Sequence, residues 1–141
     1  MRVFSIPGKV EVDWDAEARA IIDTWQSYYV TLDQFATAVM HKGLTHARRN
    51  GGRAWIVDSS RATHVFPQEI QAFIEMAVFP AFARSGIRWF ITIPPVAALT
   101  KLSVKTYTSK LGPAGIQLVQ VEDVAAARDW LLRQYVRSTG P

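Results

Sequence analysis

The chain reads as an α/β protein with a mostly parallel sheet of four to five strands, in the order ββαβαβαβα. Three observations predict it. The short continuous apolar runs "RAWIV" (53–57) and "IRWFITI" (87–93) have the character of strands buried on both faces. Longer stretches with apolar residues at helical spacing follow each strand, at 31–49, 67–85 and 123–135. The joins are short, so each return to the sheet is a right-handed crossover. The 141 residues suit one domain, 1–141, with a core of about 8–135.

Each element has its own warrant. Val10, Val12 and Trp14 alternate with Glu11 and Asp13, the period-2 pattern of a half-buried strand. "DWDAEA" reads as a turn, and "ARAIIDTW" as the returning strand of a hairpin. One helix over 15–25 is the alternative, since Ala16 to Ala20 are helix formers. The β-branched and aromatic residues Ile21, Ile22, Thr24, Trp25, Tyr28 and Tyr29 favour the hairpin.

Thr31 opens the first helix with the capping box "TLDQ". Leu32, Phe35, Ala36, Val39, Met40, Leu44 and Ala47 form its buried stripe, and "NGG" at 50–52 ends it. Pro67 begins the second helix, where a missing amide costs nothing. Pro80 lies inside that helix and predicts a kink or a 3₁₀ turn within 77–81. Pro94-Pro95 end the next strand, and residues 97–111 read as a weakly amphipathic helix broken by "LGPAG". "IQLVQV" is the last strand. Asp123 caps a final helix that turns Val124, Ala127, Trp130 and Leu131 inward.

Bulk properties narrow the function classes. Apolar content of 49% and charged content of 20% belong to a globular chain. With no cysteine there is no disulfide, thiolate or cysteine-ligated metal, and no segment has the ~20 apolar residues of a membrane span. A cytoplasmic location is expected. Half of the 12 acidic residues stand in the first 33 positions, and the basic residues Lys42, Arg48, Arg49 and Arg53 follow together. That basic cluster sits where cations complement a helix C-terminus, so no nucleic-acid partner is expected. His41, His46 and His64 do not make a metal set, and neither a metal nor a cofactor is expected.

The stretches "RAWIVDSS", "FPQEIQAFIEMAVFPAFARSGIRWFITIPP" and "VEDVAAARDWL" resemble the STAS domain family, which includes the SpoIIAA-type anti-sigma-factor antagonists, and above all its uncharacterised bacterial STAS/SEC14-like group. The resemblance covers about residues 8–135. It implies a SpoIIAA-like succession of β-α turns and a non-enzymatic module that binds a protein partner or senses a small ligand. The antagonists carry a phosphorylatable serine at a helix start, in a "DSSG"-like motif. Here "DSS" comes too early, Pro67 stands about where that serine would be, and the glycine is missing. The serine switch therefore does not carry over, and neither Ser59 nor Ser60 is expected to be a stoichiometric phosphosite.

In a parallel sheet, ligands collect outside the carboxyl ends of the strands. Asp58, Ser59, Ser60, Arg61, His64 and Thr92 fall on that rim and are the candidate ligand or partner residues, with Lys101 and Lys105 on a lid over them. The bland alternative is that Asp58 and the serines only satisfy loop amides. A Ser59-His64-Asp58 triad lacks a nucleophile elbow, and a phosphoacceptor role for Asp58 lacks the acidic pair that would hold Mg²⁺. An enzyme using Asp58 and His64 remains a third reading, behind a SEC14-like small-molecule or lipid carrier. The second helix has more apolar residues than one stripe can hide, so Met76, Phe79 and Phe82 are candidates for a second contact: the last helix, a homodimer or protein partner, or an apolar ligand.

Overall fold

The computed structural model describes residues 1–95 and 108–139. Its centre is a seven-stranded mixed sheet in the order β1-β2-β3-β4-β5-β7-β6. The strands are β1 (Arg2–Ile6), β2 (Val10–Asp15), β3 (Ala20–Trp25), β4 (Ala54–Asp58), β5 (Trp89–Ile93), β6 (Thr108–Leu111) and β7 (Gln117–Gln120). β3, β4, β5 and β7 are mutually parallel neighbours. β1 and β2 join antiparallel on one side, and β6 on the other.

The sheet thus has more strands than the four or five expected, and it is mixed. The extra strands lie at the two edges. β1 was hidden because a register shift between Arg2 and Phe4 breaks its alternation. Its one local signal is the Pro7-Gly8 turn, where Gly8 takes φ 76°. β6 occupies the end of the expected 97–111 helix, and there the expectation fails. Thr108 to Leu111 pair with Gln117 to Gln120, so sheet pairing overrides an indifferent local preference. The rest of that expected helix lies outside the described residues. The hairpin reading of 8–25 holds: β2 pairs with β3 from Val10↔Trp25 to Asp15↔Ala20.

Among the described residues two helices cover one face. Helix α1 runs through an α turn (Leu32–Ala36), a π-helical stretch (Thr37–Leu44) and an α end (Thr45–Arg49). The capping box at Thr31 and Gln34 is formed in both directions. The π turns shift the inward stripe: Ala38 and Gly43 are buried, while Ala36 and Met40 are only half-buried. Helix α2 likewise runs through α (Gln68–Phe73), π (Ile74–Val78) and α (Phe79–Arg84) segments. Pro80 predicts a kink or a 3₁₀ turn within 77–81; the helix instead has a π-helical stretch over Ile74–Val78, a turn that is wider rather than tighter and begins earlier. The Phe79 amide reaches back to the Ile74 carbonyl, one residue further than in an α-helix. Under α1 and α2 lie Val10, Val12, Ile21, Trp25 and Trp55, with Phe82 of α2 packed down onto them.

Helix α3 (Val124–Thr139) covers the opposite face, over Ala20, Ala54, Ile56, Ile91, Ile93 and Val119. Asp123 caps it, its Oδ1 accepting from the Ala126 amide at 2.8 Å. Arg128 anchors it to the β2–β3 turn through Asp15 at 2.5 Å and Glu17 at 3.1 Å. Four of the early acids are thus paired, with Asp13 and Glu11 held by Arg2 at 2.8 and 3.6 Å. Among the described residues no helix is long and apolar enough to cross a membrane.

Candidate functional site

The carboxyl ends of β3 and β4 carry the polar residues that the sequence singles out. Beyond the strands the two chains stay zipped. Ser27 and Thr63 form an isolated parallel bridge, the Tyr28 amide donates to the Thr63 carbonyl at 2.8 Å, and the Thr63 amide to the Gln26 carbonyl at 3.1 Å. Residues 59–62 therefore close into a tight loop, with the Ala62 amide on the Ser59 carbonyl at 3.1 Å. The Ser59 amide donates to the Ile93 carbonyl at 2.9 Å, tying the loop to the end of β5.

Within this frame the side chains pair separately. Asp58 Oδ1 accepts from both the amide and the hydroxyl of Ser60, at 3.0 and 2.6 Å, an Asx-type turn. The buried Ser59 hydroxyl is bonded to the Tyr28 hydroxyl. His64 Nδ1 lies 3.2 Å from Thr63 Oγ1 and 3.5 Å from Ser27 Oγ. So Ser59, His64 and Asp58 have three different sets of partners, and no serine–histidine–aspartate relay is assembled. Burial pushes the Tyr28 phenol above its ordinary value, against the Ser59 hydrogen bond, and nearby Asp23 and Asp58 push it the same way. It stays protonated at neutral pH and is no base.

What the rim presents outward is different. His64 has φ 67°, in the left-handed region that non-glycine residues seldom enter. Its ring stands 6.0 Å from that of Tyr29. Lys9 donates to the Tyr29 carbonyl at 2.8 Å and lies over the same ring. Tyr29 is 69% exposed and Val65 76%. Arg61 is exposed in the same loop. An apolar and aromatic patch with cationic neighbours results.

The other candidates scatter. Thr92 stands on β5 opposite Val57, on the pleat that faces α2, so the rim loop does not gather it. Lys101, Lys105 and the expected lid lie outside the described residues. Of the three apolar candidates Met76 alone is exposed. Phe79 and Phe82 are buried, Phe82 stacked on Trp55 with centroids 4.3 Å apart and Phe79 edge-on to Phe90 at 5.0 Å. They are core residues. The last helix does not cover them, because its Trp130 packs against Trp89 on the other face.

One polar residue was missed altogether. Asp23 is fully buried beneath the α1–α2 layer, its Oδ2 accepting from the Trp55 indole at 2.8 Å. Burial pushes its carboxyl up to about 7; the Trp55 hydrogen bond opposes this, and Asp13 adds to it. The signal was present in "AIIDTW", since an acid that alternates with Ile21 and Trp25 must share their inward face.

No known protein family, curated protein or solved structure matches the chain.

Proposed function

We propose that the protein is a STAS-like, SpoIIAA-like binding module without catalysis of its own, which docks a protein partner through the rim patch of Tyr29, His64 and Val65. The observation that carries this reading is the division of labour at the rim. Asp58, Ser59 and Ser60 are spent on internal hydrogen bonds, while Tyr29 and Val65 are held open to solvent on zipped loops. Exposed aromatic and aliphatic side chains on a rigid frame are the usual anchors of an interface. Lys9 and Arg61 beside them favour a partner segment with acidic groups. The parallel succession β3-β4-β5-β7, led in by a hairpin, supports the family reading. The buried, bonded Ser59 supports a module without the phospho-switch.

The test is site-specific photo-crosslinking in cells. p-Benzoylphenylalanine at position 29 should give a discrete adduct that disappears with Val65→Asp. The same probe at position 17, beside Arg128, should not give it. Identical adduct patterns from both positions would reject the rim as the docking surface.

A further inference from the structure

On the face covered by α1 and α2, the sheet continues past α2 onto β7 and β6. There a cavity of about 450 Å³ opens between α2 and the sheet, with Phe79, Phe90, Leu118, Thr92, Gln120 and Lys110 among its lining. The volume lies in the range of small-molecule sites, which are mostly apolar with a few polar groups. β6 runs antiparallel to β7 and so starts at the end of the sheet where β5 stops.

The chemistry of the lining is one-sided. Phe79, Phe90 and Leu118 form apolar walls. Lys110 stands opposite Leu118 in the β6–β7 ladder, on the same pleat. A second hollow of about 550 Å³ also has Lys110 in its wall and adds Arg88. Among the described residues neither hollow has an aspartate or glutamate in its lining. The Thr92 hydroxyl and the Gln120 amide make no side-chain hydrogen bond among the described residues, and both are half-buried in the wall.

We propose that this cavity binds a small organic carboxylate with an apolar body, the body lying between Phe79, Phe90 and Leu118 and the carboxylate meeting Lys110. Thr92 and Gln120 supply hydrogen bonds that orient it. Apolar walls beside the Lys110 ammonium and neutral hydrogen-bonding groups select against both inorganic anions, which have no apolar body, and neutral apolar molecules, which leave Lys110 without a counter-charge. The site stands apart from the rim: Tyr29, His64 and Val65 line neither hollow. It can therefore fail while the rim reading survives, and the reverse.

The experiment is an amide-resonance titration of the full chain with octanoate and, separately, with 1-octanol. Octanoate should shift Phe90, Thr92 and Gln120 saturably, and 1-octanol should bind at least about tenfold more weakly. Lys110→Gln, an exposed position, should abolish the preference for the carboxylate while leaving the spectrum folded. Leu118→Trp should fill the cavity and abolish both, and Tyr29→Ala should change neither. The proposal is overturned if octanoate gives no saturable shifts, if 1-octanol binds as well, or if Lys110→Gln binds octanoate unchanged.

Discussion

The Trp55 indole donates its Nε1 hydrogen to Asp23 Oδ2 at 2.8 Å inside the closed layer between the sheet and α1 and α2. The other carboxyl oxygen, Oδ1, is buried with no hydrogen-bond partner among the described residues. A charged carboxylate with one hydrogen bond is costly in such a place, so the group holds its proton up to about pH 7.

That gives a pH dependence with a definite sign. The folded carboxyl releases its proton near pH 7, the unfolded one near its ordinary value of 3.8. Between these values the folded state binds more protons, so Asp23 stabilises the fold fully below about pH 4, and the stabilisation is lost as pH rises to about 7. The amount is on the order of 4 kcal/mol. Asp23→Asn should remove this slope. Urea midpoints measured from pH 4 to pH 8 should converge for the two proteins at the acid end and favour the variant at pH 8. A parallel pair of curves would show that Asp23 is ionised throughout.

Tyr28 and Ser59 give a coupling to measure. Removing the Tyr28 hydroxyl leaves that of buried Ser59 unpaired, which costs about 1–3 kcal/mol, and removing the Ser59 hydroxyl leaves a half-buried phenol unpaired at a smaller cost. Tyr28→Phe and Ser59→Ala should each destabilise, and the double variant should lose less than the sum of the two. Strict additivity in a double-mutant cycle would mean that the hydroxyls do not act as a pair.

Gly43 tests the packing of the π-helical stretch. A Cβ there would stand 2.7 Å from Cη2 of Trp55, in a ring fixed by Phe82 and Asp23. Gly43→Ala improves local helix propensity, yet it should destabilise by about 1–3 kcal/mol, because the buried ring has nowhere to go. A gain in denaturation midpoint would show that Trp55 can yield.

Phe82 and Met76 separate core from surface on one helix. Phe82→Ala leaves a void beneath Trp55 and should cost about 3–5 kcal/mol. Met76→Ala, at a side chain 80% exposed, should stay within roughly 0.5 kcal/mol. Comparable losses from both would put Met76 in an interface.

The elements most legible in the sequence were those with strong periodicity. β4, β5 and α3 have nearly the expected ends, because a strand buried on both faces is a continuous apolar run and an amphipathic helix repeats its apolar residues every third to fourth position. The capping box was legible for the same local reason: it rests on a side chain and the backbone within one turn of it. Pro80 marked an irregular helix, but not that its turn would be wide. The rim was half legible. Strand ends placed Asp58 to His64 together, but which hydroxyl met which partner depended on Tyr28 arriving from another strand.

By itself the sequence determined the α/β class, the helices that follow β3, β4 and β7, and the parallel strands at the centre, since these follow from patterns of burial local to each segment; the fourth helix it predicted, over 97–111, ends in a strand where it is described. Only the tertiary structure decided the edge strands, the phase of the helix stripes and the fate of the polar residues. β6 is a strand because β7 offers it hydrogen bonds. Gly43 faces inward because a π turn rotates it toward Trp55. Asp23 keeps its proton, and Asp58 loses its freedom, through what surrounds each of them in the fold. Pairing and desolvation are properties of neighbours brought together across the sheet, and no window along the chain contains them.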